Sequence, residues 1–183
     1  MKHVLLFTLL GSMLMLSCNE DNNIENQEEL ITTVRYDLIP RGGGSNVILI
    51  FRDLDGDGGN APTTMISDNL KAGKVYDGTL SILNEAEDPA EDITIEIRDE
   101  AEEHQFFFQT GNQIQVAYND TDNNGKPIGL KTILTAGNAA ASQTIKITLR
   151  HEPDKNASGV AGGNIQNAGG ETDVEVLFTL DVE

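Results

Sequence analysis

Val47-Ile48-Leu49-Ile50-Phe51-Arg52-Asp53-Leu54-Asp55-Gly56-Asp57-Gly58-Gly59-Asn60-Ala61-Pro62 joins an apolar run to an acidic glycine loop. The first six residues, apolar at nearly every position, read as a buried strand, central in its sheet. On its N-terminal side Val34, Tyr36 and Leu38 alternate with Thr33, Arg35 and Asp37, the period of a half-buried strand, and Pro40-Arg41-Gly42-Gly43-Gly44 ends it as a turn. On its C-terminal side Lys74 to Asn84 puts Tyr76, Leu80 and Ile82 on one face and Asp77, Thr79 and Ser81 on the other.

Asp88-Pro89-Ala90-Glu91 carries the marks of a helix start: a capping carboxylate, a first-turn proline and a glutamate three residues on. Ile93, Ile97, Ala101 and His104 follow at helical spacing. Gln105 to Gln109 and Gln113 to Tyr118 then read as a hairpin about Gly111-Asn112. Ile128 to Thr135 is a weaker strand, Ile145, Ile147 and Leu149 mark a clear one, and Val174 to Val182 closes the chain as another. Residues 152–171, rich in Gly, Asn and Ala, read as a long loop without structure of its own, used for binding or disordered. About eight strands and one short helix predict a mainly β domain over residues 30–183: a single antiparallel two-sheet sandwich of immunoglobulin-like type.

Ahead of that domain, residues 1–17 have the parts of a secretory signal, with Lys2 and His3 before an apolar stretch too short to span a bilayer. Met15-Leu16-Ser17-Cys18 resembles a bacterial lipobox, which makes Cys18 a lipidated first residue of the mature chain. Cys18 is also the single cysteine, so no disulfide or cysteine metal cluster can form within the chain. Residues 18–29 are polar and acidic and read as a tether; Glu20 and Asp21 behind the cysteine resemble the signals that send some lipoproteins to the outer face of the outer membrane.

The formal net charge of -18 excludes a nucleic-acid partner and favours cations or basic partners. Asp53, Asp55 and Asp57 form the first half of a calcium loop, in which closely spaced carboxylates converge on one ion. A full EF-hand needs a glutamate at loop position twelve, where Thr64 stands, so the loop either closes on a distant carboxylate such as Glu85, Glu87 or Asp88 or is a tight polar turn. Asp120-Thr121-Asp122-Asn123-Asn124-Gly125 repeats the half-motif, but with Lys131 at position twelve it reads as a polar hairpin turn. His104, His151 and Glu152 are a transition-metal candidate, zinc being the usual ion for such donors, provided the helix end lies beside the strand end. No nucleophile motif, phosphate loop or His-Glu-x-x-His helix is present, so the chain reads as non-catalytic.

The phrases Phe51 to Pro62, Glu102-Glu103-His104-Gln105-Phe106-Phe107-Phe108, Arg150-His151-Glu152-Pro153 and Gly169-Gly170-Glu171-Thr172-Asp173 resemble small flavobacterial lipoproteins that often carry the name type 1 periplasmic binding fold superfamily protein. The resemblance implies a ligand-binding role. The two strand-and-helix lobes that the name implies do not match a strand-rich chain of this length, so the sandwich remains the expected fold. Together these readings predict a membrane-anchored, non-catalytic ligand- or metal-binding lipoprotein of the outer membrane, facing periplasm or cell surface and accessory to a transporter. The alternative is an immunoglobulin-like structural or adhesive module that contacts another envelope protein.

Overall fold

A computed structural model of the chain describes residues 30–56 and 59–183. The signal-like stretch, Cys18, the acidic tether and Asp57 lie outside the described residues. No helix among the described residues is long and apolar enough to cross a membrane.

The period-two pattern of β1 (Thr33–Pro40) buries Val34, Tyr36 and Leu38 completely. Its other face holds Arg35 and Asp37, whose side chains pair at 2.6 Å. Fully burying an aliphatic side chain contributes about 1.5–3 kcal/mol, so this alternation sets which face of the strand points inward. β1 pairs with both β2 (Val47–Arg52) and β4 (Val75–Leu83), and β2 pairs with β3 (Thr63–Ile66). The apolar run is therefore interior to its sheet, but it lies next to the last strand and not at the centre as expected. The extra strand β3 is short, with Thr63, Thr64 and Met65 exposed, and so carries no apolar alternation.

The helix forms, four residues later than its expected cap. A bridge between Asn84 and Glu91 holds residues 85–90 in a turn, and Asp92 caps α1 (Ile93–Asp99) by accepting the Thr94 N–H. Ile93 and Ile97 are buried as the stripe predicts, and the Thr94 hydroxyl accepts from the Ile82 N–H, docking the helix on β4. His104 does not continue that stripe. It is the first residue of β5 (His104–Thr110), because the helix ends at Asp99 and the chain turns before the strand begins.

β5 and β6 (Ile114–Tyr118) do not form the expected hairpin. β6 pairs with β7 (Lys131–Ala136), whereas β5 pairs with β8 (Ala140–His151), which in turn pairs with β9 (Glu171–Val182). Gly111-Asn112 thus carries the chain from one sheet to the other. The result is two antiparallel sheets, β3-β2-β1-β4-β7-β6 and β5-β8-β9. Taking β1, β4, β5, β6, β7, β8 and β9 as strands A to G, the orders are A-B-E-D and C-F-G, the immunoglobulin arrangement, with the β2–β3 hairpin inserted after the first strand. Leu70 forms a parallel bridge to Val182 and so ties the segment before β4 to the second sheet.

One core fills the space between the sheets, with Tyr36, Tyr76, Phe106 and Phe178 among its largest members. The Tyr36 hydroxyl is satisfied there by Thr132 at 2.6 Å. A second, smaller cluster lies outside the second sheet, where Val160 and Ala168 pack on Phe107. This cluster overturns the unstructured reading of residues 152–171. The segment makes two short 3-10 turns, Val160–Gly162 and Ile165–Asn167, and is packed against the sheet.

Candidate functional site

Strand register places four connections at one end of the sandwich. Thr33 at the start of β1 stands opposite Arg52 and Leu83 at the ends of β2 and β4, Tyr118 at the end of β6 stands opposite Thr132 near the start of β7, and His104 at the start of β5 stands opposite His151 at the end of β8. The connections 53–62, 84–103, 119–130 and 152–170 therefore emerge together, at the end where residues 30–32 enter. In immunoglobulin variable domains the B–C and F–G loops of this end do the binding.

Lys155 joins three of these connections. Its ammonium donates to the Ala101 carbonyl at 2.5 Å, to Asp122 Oδ2 at 3.0 Å and to the Pro127 carbonyl at 3.1 Å. The side chains of Lys155 and Asp122 are 5% and 1% exposed, so this is a buried pair whose desolvation must be met by complete hydrogen bonding. It is met: Asp122 Oδ1 accepts the N–H groups of Asn124 and Lys126. Burial pulls the Lys155 ammonium below its usual value, against the hydrogen bond and charge of Asp122. Burial also works to raise the Asp122 carboxyl, but the Lys126 N–H and Lys155 outweigh it and hold it below the usual carboxylate range. Glu102, Asp122, Asn124, Lys126, Pro153 and Asp154 surround a solvent-open hollow of about 440 Å³ beside this pair.

Further along the same end, the paired His104 and His151 rings stack, with centroids 4.7 Å apart and planes 17° from parallel. His104 Nδ1 lies 3.2 Å from the Glu100 carbonyl, which only accepts, so that nitrogen carries the proton. His151 Nε2 lies 3.8 Å from Glu103 Oε2, and ligand atoms of Glu103, His151 and Glu152 all come within 4.8 Å of one another. The ligand atoms that lie together are those of Glu103, His151 and Glu152; His104, expected as a donor with His151 and Glu152, stacks against His151 and is not among them.

The acidic loop is capped by its own chain. Asp53 Oδ1 accepts the Gly56 N–H at 3.0 Å, and Asp55 Oδ2 accepts both the backbone and the side-chain amide of Asn60, at 2.9 and 2.7 Å. Those Asn60 bonds lower the Asp55 carboxyl from its ordinary value. Glu85, a candidate to close a calcium loop from a distance, is engaged by the Thr33 hydroxyl at 2.6 Å and by Arg52 at 2.7 Å.

Comparison of the chain with protein-family models, curated proteins and solved structures finds no match.

Two residues of this end escaped the sequence reading. Lys155 had a signal, since it is the single cation between Glu152 and Glu171, where nothing else would explain a long charged side chain. Glu103 shows in the sequence only as the neighbour of His104, because its nearness to His151 depends on β5 pairing with β8.

Proposed function

We propose that this chain is a lipid-anchored, non-catalytic binding lipoprotein of the bacterial outer membrane that uses its loop-bearing end, as an accessory to a transporter. The observation that carries this reading is the gathering of four connections at the end where residues 30–32 enter the domain. Eleven residues lie between Cys18 and Leu30, and a fully extended chain of that length reaches roughly 40 Å. An anchor at Cys18 would hold the loops within that distance of the bilayer, where integral envelope proteins are.

The second reading, an immunoglobulin-like structural or adhesive module, is favoured by the form of the hollows. Two of those at this end, one beside Lys155 and one lined by Tyr118, Asp120, Pro127 and Ala161, are open to solvent, as suits contact with a macromolecule. Purification of the native complex after cross-linking separates the two. A transporter partner supports the first and a matrix or adhesin assembly the second. Membrane retention of Cys18→Ala would overturn the anchor itself, since the signal-like stretch is too short to hold a bilayer.

A further inference from the structure

The end of the second sheet carries a donor set that neither the anchor nor the Lys155 junction uses. His151 is 9% exposed, and its ring plane is set by stacking on His104, which is itself fully buried and held through Nδ1 by the Glu100 carbonyl. The next residue, Glu152, has a left-handed backbone (φ +49°), and its N–H donates to the Glu103 carbonyl at 2.6 Å. Gly170 packs so closely on this turn that a Cβ there would collide with the His151 carbonyl oxygen. The backbone is thus clamped from two sides, and the clamp presents one imidazole and two carboxylates on the same side, with ligand atoms within 4.8 Å.

Donors bound to zinc at about 2.1 Å in a tetrahedron stand about 3.4 Å from one another. The rigid imidazole already faces Glu103 at 3.8 Å, and the two glutamates are exposed and can turn to close the rest. We infer that Glu103, His151 and Glu152 form a binding site for a first-row divalent transition ion such as zinc. Two carboxylates balance the charge of the ion, and the imidazole nitrogen favours a transition metal over calcium or magnesium, which take oxygen donors. Three protein donors leave a coordination position open for water or for a donor from a partner. The site lies wholly within the folded domain, so it stands or falls separately from the anchor.

The test is isothermal titration of the purified full chain, stripped of metal, with zinc chloride, accompanied by nitrogen-15 NMR of the two imidazoles. The expected result is about one equivalent bound, a large shift of His151 Nε2 and no direct ligation of His104. Glu103→Gln and Glu152→Gln, both on exposed side chains that leave the core intact, should each weaken binding at least tenfold, on the scale of lost metal-site contacts. Calcium in excess should not compete. Absence of binding at millimolar zinc, binding unchanged in both glutamine variants, or ligation through His104 in place of His151 would each overturn the assignment.

Discussion

The two Asp-x-Asp loops share a text and differ in what they hold. In both, a glycine takes the left-handed conformation, Gly56 at φ +67° and Gly125 at φ +72°, and in both the aspartates cap backbone amides of the turn. Asp120 caps two more, the N–H groups of Gly129 and Lys131. Among the described residues, only the second loop then receives a cation, the ammonium of Lys155, and only there is an aspartate buried. The shared pattern therefore encodes the turn, and cation binding depends on where further oxygens converge. At the second loop two carbonyls and one carboxylate do so.

Asp122→Asn should break the comparison most severely. It leaves the Lys155 ammonium buried beside a neutral amide, and breaking a buried pair in this way costs about 3–5 kcal/mol. The double variant Asp122→Asn with Lys155→Met should recover much of that loss, which chemical denaturation of all three variants would measure. Acid should act on the same pair. Because the Asp122 carboxyl is lowered in the folded chain, its contribution is complete above the unfolded value near about 3.9 and is lost as the pH falls through the lower folded value. Melting temperatures followed downward from about pH 5 should show the fall in the parent and a smaller one in the double variant.

Calcium sharpens the contrast next. An ion that binds only the folded chain stabilises it by about 2.7 kcal/mol at a hundredfold excess over its dissociation constant. A calcium-dependent rise in melting temperature should belong to the first loop, disappearing in Asp57→Asn and persisting in Asp122→Asn. A melt insensitive to both calcium and chelator would leave turn capping as the whole role of that loop. Gly56→Ala and Gly125→Ala should then cost alike, about 1–2 kcal/mol each, since a side chain meets open space at both sites and only the left-handed backbone penalises it. Unequal costs would end the equivalence of the two turns. The smallest effect is expected from Asp55→Ala, on an exposed carboxylate whose partner Asn60 can turn to water, read as a slight drop in melting temperature.

Local patterning made the sandwich legible, and long-range pairing hid the rest. Val34, Tyr36 and Leu38, or Ile145, Ile147 and Leu149, announce their faces because a strand buries every second residue whatever its neighbour. Gly111-Asn112 gives no sign that its flanking strands part company, since a turn that closes a hairpin and one that crosses between sheets use the same residues. His104 sat at a spacing that suits a helix stripe, and only the end of α1 at Asp99 shows that it belongs to a strand. Val160 and Ala168 were invisible inside a glycine-rich text because the partner they cover, Phe107, lies more than fifty residues away.

The Lys155 junction makes the three connections it joins independent of the ions around them. A loop that drew its cation from solution would assemble or loosen with the ion content of whichever compartment it entered, and a chelator could undo it. Here the positive charge is covalently part of the polypeptide, at a fixed ratio of one per chain. Three connections from separate parts of the fold thus close as soon as the domain folds, in calcium-rich or calcium-poor fluid alike.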